Sequence, residues 1–295
     1  MSTTVTPLTL FAVPKPFEGH IGVIQRNAIG SWTRLGGQID VVLCGVDAGD
    51  AAAELGVRHL PDLERNEHGT PLLSSVFPAV RDATESPLLA YANSDVILMR
   101  DFARAVERLP LTHLMAGRRW DVDLTEELDF DGPWERQVRH LVETEGVRAA
   151  PEWIDYFVFA RESPLVELPP FIVGRPRWDN WMIYRARSLR IPVVDATEVV
   201  DAVHQGHDYS HVPSGSGLLW YGPEADANAA LAGETPMLSI DHATHVMTSR
   251  GIRRATDCRY VKARWEMRHA VNGDLERFAR GVDRVLGPVR RMVRG

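Results

Sequence analysis

Short apolar runs alternate with helix-periodic segments through the first half of the chain, and this alternation restricts the fold more than any other feature. The strand-like runs are LTLFAV (8–13), DVVLCGV (40–46), VRHL (57–60), LLAYA (88–92) and HLMAGRR (113–119). Between them lie IGVIQRNAIGSWTRL (21–35), DAAAEL (50–55), TPLLSSVFPAVRDAT (70–84) and DFARAVERL (101–109), each with helical spacing or helix-prone composition. Parallel strands need long crossovers, and a helix is the usual one. The pattern therefore predicts an α/β fold with a mostly parallel sheet covered on both faces. Thr70 is placed to cap its helix with Pro71 at the first position, and Pro78 predicts a kink or a shorter helix. Further on, helices are expected over 134–146 and 178–189, and strands over 153–163 and 191–200.

No composition shift marks a clean boundary within residues 1–249, which read as one domain. Charge does divide the chain. The whole carries −7, but residues 250–295 carry 13 Lys/Arg against 5 Asp/Glu, so the body is strongly acidic and the tail basic. The tail reads as a helical extension that either docks on the acidic body or touches an anionic membrane surface. An acidic body argues against a dedicated nucleic-acid reader. The N-terminal stretch lacks the pattern of a signal peptide, and no window reaches the roughly 18 apolar residues of a membrane span. The expected location is cytoplasmic, with peripheral membrane contact through the basic segment. Cys44 and Cys258 belong to no CxxC pair, which leaves no zinc ribbon or disulfide framework. The chain also lacks GxxxxGK[ST], HExxH and GxSxG. Its GSG (215–217) neither follows a strand nor opens a helix.

The stretch LLAYANSDVIL (88–98) interrupts two apolar runs with Asn93, Ser94 and Asp95. An Asx-type turn uses the same residue types. Ligands of open α/β sheets, however, bind beyond the carboxyl ends of the strands, and LLAYA is apolar enough to be a central strand. A hard cation bound through one or two carboxylates leaves its other positions to phosphates and water, which suits a short Asp on a strand end.

Over roughly residues 6–200 this layout, with the Asp-containing triplet after its apolar strand, resembles the GT-A class of nucleotide-sugar glycosyltransferases. The resemblance implies a metal-assisted, base-catalysed transfer of a sugar from a nucleotide diphosphate to an acceptor hydroxyl, with inversion. Asp95 matches the last acid of the DxD motif, the ligand of Mn²⁺ or Mg²⁺. Asn93 stands where the first acid would be, which weakens metal binding or moves that role elsewhere. Related nucleotidyltransferases carry a Gly-rich loop after the first strand, where this chain has PKPFEGH (14–20). The donor nucleotide would meet Lys15, Gln25 and Arg26 as well as Asn93, Ser94 and Asp95. Arg118, with Arg119, would neutralise phosphate or an acidic sugar.

The resemblance also asks for a carboxylate near the start of a late helix. RPRWDNWMIYRA (175–186) offers Asp179 as general base, with Trp178 and Trp181 to desolvate it and to present flat faces to a sugar. Asp121, Asp123 and Asp155 are its rivals. His204, His207 and His211 lie in the Gly/Ser/Pro-rich stretch 204–223, read as a mobile lid. His207 first, then His204, would supply the metal ligand that Asn93 cannot, with His242 and His245 as further contributors. Two other readings compete. One is a metal-dependent hydrolase or phosphoesterase built on His204, His207 and His211. The other is a nucleotide-sugar-binding module without turnover.

Overall fold

The protein is described by a computed structural model over residues 6–206 and 221–272, the last five of these by backbone alone. In chain order its elements are β1 (Leu8–Ala12), α1 (Gly19–Trp32), β2 (Ile39–Cys44), α2 (Gly49–Leu55), β3 (Arg58–Leu60), α3 (Leu73–Asp82) and β4 (Leu88–Ala92). There follow β5 (Val96–Ile97), α4 (Arg100–Val106), β6 (Leu114–Ala116), β7 (Arg119–Val122), α5 (Trp134–Glu145), β8 (Val147–Arg148) and β9 (Tyr156–Ala160). The remainder are α6 (Trp178–Ser188), β10 (Val193–Asp195), β11 (Ala202–Gln205), α7 (Pro223–Ala232), β12 (His245–Thr248), β13 (Gly251–Arg254) and α8 (Cys258–Asn272).

Nine strands form one sheet in the order β13-β12-β10-β6-β9-β4-β1-β2-β3. Its pairs are parallel except that β9 runs against β4 and β6, and β13 against β12. Period-two alternation shows how both faces are filled. Along β4, Leu89 and Tyr91 enter a core with Phe77 of α3 and Trp178 of α6. Leu88, Ala90 and Ala92 enter the opposite core with Ala28 and Trp32 of α1 and Phe102 of α4. Phe77 is the centre of the first core, stacked on Phe159 at 5.8 Å and edge-on to Phe11 at 5.1 Å. Such pairs stabilise beyond the area they bury. A second sheet, β5-β11-β7-β8, packs against α5 and was not expected from the sequence pattern. Its strands are two to four residues long, too short for alternation to register.

Three local expectations change. The third helix begins at Leu73, not after Thr70, because residues 70–72 are used otherwise. The Leu72 N–H donates to the Glu64 carbonyl at 2.9 Å, and the Thr70 hydroxyl donates to Glu224 at 2.8 Å. The helix then runs through Pro78 to Asp82. His204, expected in a loop, sits in β11. Finally, the line drawn at 249/250 falls inside the β12–β13 hairpin, so residues 251–254 supply the edge strand of the large sheet. Beyond them α8 docks on the acidic body. Tyr260 is buried and donates its hydroxyl proton to Asp195 at 2.8 Å, while Arg259 pairs with Asp195 and Asp241 at 3.3 Å each. Among the described residues no helix is long and apolar enough to cross a membrane.

Candidate active site

β4 lies between β1 and β9, at the point where the chain has finished building one side of the sheet and begins the other. Such switch points open a crevice beyond the strand ends. Asn93, Ser94 and Asp95 follow β4 into a cleft of about 1120 Å³. The loop after β1 forms part of its wall. Gln25, buried on α1, accepts from the Lys15 N–H at 2.8 Å and donates to the Lys15 carbonyl at 2.9 Å. The same Gln25 oxygen accepts from the Ser94 hydroxyl at 2.8 Å. Gln25 thus fixes Lys15 and Ser94 relative to each other and does not itself line the cleft. Burial lowers the Lys15 pKa, as does nearby Arg175, while Asp95 acts in the opposite sense.

Asn93 is committed to Asp155. Its backbone N–H reaches the Asp155 carbonyl at 2.9 Å, its side-chain amide donates to Asp155 Oδ1 at 2.8 Å, and its Oδ1 accepts from the Tyr91 hydroxyl at 3.1 Å. An aspartate here would set two carboxylates against each other, which is a physical reason for the amide. From Asp155 the charges continue in a chain that ends at Asp95. Arg119 donates to Asp155 Oδ2 at 2.5 Å and to Asp121 Oδ1 at 2.8 Å. Asp121 Oδ1 is 3.0 Å from His204 Nδ1, and His204 Nε2 is 3.7 Å from Asp95 Oδ2. Burial alone would lower the His204 pKa, but Asp95 and the bond to Asp121 outweigh it and the net shift is upward. Arg119 and Asp155 are both nearly inaccessible. Arg119→Ala leaves Asp155 buried without its cation, and such losses cost roughly 3–5 kcal/mol. Urea unfolding of this variant should show a lower midpoint with an unchanged slope.

Asp179 is in the first turn of α6 and lines the same cleft. The residue as a whole is half-buried, but its Oδ1 is shut from solvent and has no hydrogen-bond partner among the described residues. Burial pushes its pKa up to about 7, with Asp155 adding to the rise and the Asn180 N–H opposing it. The helix start is held by Asn180, whose amide donates to the carbonyls of Glu152 at 3.1 Å and Leu238 at 2.9 Å. Arg177, just before the helix, takes a left-handed φ of 90°. Outside glycine such a conformation costs on the order of 1–3 kcal/mol.

The expected residues therefore divide. Lys15, Asn93, Ser94, Asp95, Asp179 and His204 meet at one cleft. Arg26 is not there, being held by Glu54 through bonds of 2.7 and 2.9 Å. Arg118 turns away too, donating to the Ala149 carbonyl at 2.7 Å. Trp178 also lines the cleft, but most of it is in the core, 5% exposed and edge-on to Tyr91 at 4.9 Å. His242 is occupied at its own turn with Ser239, and neither it nor His245 lines the cleft. His207 and His211 lie outside the described residues. Arg65, Asp155, Trp153, Arg175 and Arg177 also line the cleft. They were not picked out as members of the site, apart from Asp155 as a rival base, because each is placed by a partner distant in sequence.

The structure is thus a helix-flanked, mainly parallel α/β sheet with acidic residues in a cleft at the end of an interior strand. No protein-family model matches the chain, and no curated protein does. Solved structures do. Glucosyl-3-phosphoglycerate synthase from Mycobacterium tuberculosis, in complex with Mg²⁺ and UDP, is 13% identical over 78% of this chain and 80% of its own, with a TM-score of 0.46. GalNAc-T7 with UDP, GalNAc and Mn²⁺ is 14% identical over 68% of this chain and 43% of its own, with a TM-score of 0.45. A mannosyltransferase from Pyrobaculum calidifontis with GDP-Man and Mn²⁺ is 14% identical over 67% and 56%, with a TM-score of 0.40.

Proposed function

We propose that this chain is a metal-assisted glycosyltransferase that moves a sugar from a nucleotide diphosphate to an acceptor hydroxyl with inversion. The observation that carries this reading is the meeting of Asp95 and Asp179 in one cleft, the latter with a buried, unpartnered oxygen. The chain of charges from Asp155 to Asp95 sets three carboxylates against one guanidinium and one imidazole, which leaves it short of positive charge. Among the described residues no three His, Cys, Asp or Glu side chains form a cage for a metal. That donor set fits Mg²⁺ or Mn²⁺, which accept one or two carboxylates and fill the rest of their shell with phosphate oxygens and water. Asp95 would hold the ion, with His204 beside it. When bound, the ion supplies neutralisation of the departing diphosphate.

The protein's own groups do the rest. Lys15, pinned by Gln25, adds positive charge to the diphosphate side of the cleft. Asp179, as carboxylate, takes the proton of the acceptor hydroxyl. The hydroxyl oxygen then forms its bond to the anomeric carbon while the bond to the diphosphate oxygen breaks with its electron pair. A single displacement of this kind inverts the centre. A pKa near 7 lets the group be ionised at neutral pH and still be basic enough to accept a proton.

A thermal-shift screen with UDP-, GDP-, CDP- and dTDP-sugars, each with Mn²⁺, Mg²⁺ or EDTA, tests the reading. A ligand at about 100 times its dissociation constant stabilises by about 2.7 kcal/mol, enough for a shift of several degrees. One nucleotide family should give that shift, and EDTA should abolish it. A shift with metal and no dependence on nucleotide would count against it.

A further inference from the structure

Four arginines line the cleft, and three are committed to carboxylates. Arg119 lies between Asp121 and Asp155, Arg175 is bonded to Glu224, and Arg65 is 3.5 Å from Asp47. Arg177 is different. Among the described residues it makes no ion pair, and its guanidinium donates only to the Met237 sulfur at 3.6 Å, a weak acceptor. A strained backbone holds it in place, at φ 90°, although glycine would adopt that φ without cost. Two residues on is Asp179, which lines the same cleft and has one oxygen without a hydrogen-bond partner among the described residues.

Arg177 enters the cleft from the start of α6, whereas Lys15 follows β1 and Ser94 follows β4. The Asn180 amide ties the start of α6 to Glu152 and Leu238, the neighbours in sequence of Trp153 and Met237, which line the cleft with Arg177. The Trp153 ring is partly open and lies over the Arg119 guanidinium at 4.7 Å. A planar fork without a carboxylate partner among the described residues, two positions from the group that would accept the hydroxyl proton, matches an oxyanion bidentately.

We infer that Arg177 is a specificity residue for the acceptor, and that the acceptor carries an anionic group, carboxylate or phosphate, near its reacting hydroxyl. This rests on the glycosyl-transfer reading in assigning the ligand to the acceptor side. Binding of the anion itself does not require that reading. The three-carbon compounds glycerol, D-glycerate and glycerol 3-phosphate share a hydroxyl-bearing frame and differ in charge. Each is titrated calorimetrically into wild type, Arg177→Gly and Arg177→Lys, with the cleft saturated by Mg²⁺ and whichever nucleoside diphosphate stabilises the protein most. The nucleotide keeps the test anions off the Lys15 side.

Wild type should bind one or both anions at least about 10-fold more tightly than glycerol, and the tighter of the two identifies the group. Arg177→Gly should bring all three compounds within about 3-fold of one another, and Arg177→Lys should keep part of the preference. In turnover the loss should fall on the acceptor KM more than on kcat. Glycine suits the φ at this position, so Arg177→Gly should melt no lower than wild type. An anion preference that survives Arg177→Gly, or wild type that binds neither anion better than glycerol, overturns the inference. If no nucleotide stabilises the protein, the titrations run without one. Arg177-dependent anion binding would then stand while the donor reading fell.

Discussion

Asp179→Asn should lower sugar transfer by about 10²–10⁴-fold, the range for loss of a positioned general base, while making the protein more stable. The two effects have one cause. Below about pH 4 the carboxyl is protonated in the folded and unfolded chains alike. Between there and about 7 the folded protein keeps a proton that the unfolded chain has released. Stability contributed by the neutral carboxyl is therefore complete at the acid end and is lost as pH rises through the folded pKa. Above it the wild type carries an ionised, half-shut carboxylate. An amide cannot ionise, so Asp179→Asn should gain on the order of 2–4 kcal/mol over wild type at pH 8 and almost nothing at pH 4. Melting curves at both values check this. The rate should behave inversely, with wild-type kcat/KM rising with pH through about 7 and then levelling. A variant that loses activity without gaining stability at pH 8 would leave Asp179 as a packing residue.

Asp95→Ala should remove the metal-dependent part of donor binding. Replacing groups that merely orient metal ligands costs 10–100-fold, so loss of the ligand itself should weaken the donor by about 100-fold or more. The fold should survive, because Asp95 is at a strand end and His204 keeps its contact with Asp121. The measurement is the melting shift of Asp95→Ala with donor and Mn²⁺, compared with wild type in EDTA. The two should coincide. Asn93→Asp should not improve metal binding, since the new carboxylate would face Asp155 where the amide now donates at 2.8 Å.

The strand–helix alternation made the sheet legible because β1, β2 and β4 are five or six residues long and mostly apolar. Their buried positions follow from composition and period alone. The small sheet was not legible, since a strand such as Val96–Ile97 has no period to read. Asp95 and Asp179 could be picked out because each follows or opens a recognisable element. Asn93 looked like a defect in a motif until its partner was known, and that partner, Asp155, is remote in sequence and approaches only when β9 inserts antiparallel beside β4. Arg118 and Arg119 are neighbours of the same type that sequence alone could not separate, and only Arg119 lines the cleft. Arg119, the first residue of β7, reaches Asp155, while Arg118, just before the strand, reaches the Ala149 carbonyl. The Arg177 backbone, with its positive φ, has no signature in the sequence at all.

The most direct test of the central claim is release of nucleoside diphosphate from the donor that stabilises the protein best, followed in Mn²⁺ and in EDTA for wild type, Asp95→Ala and Asp179→Asn. Metal-dependent release by wild type that both substitutions abolish is the expected result. Release that continues in EDTA, or that Asp95→Ala leaves unchanged in a folded protein, would contradict a glycosyl transfer centred on the strand-end aspartate.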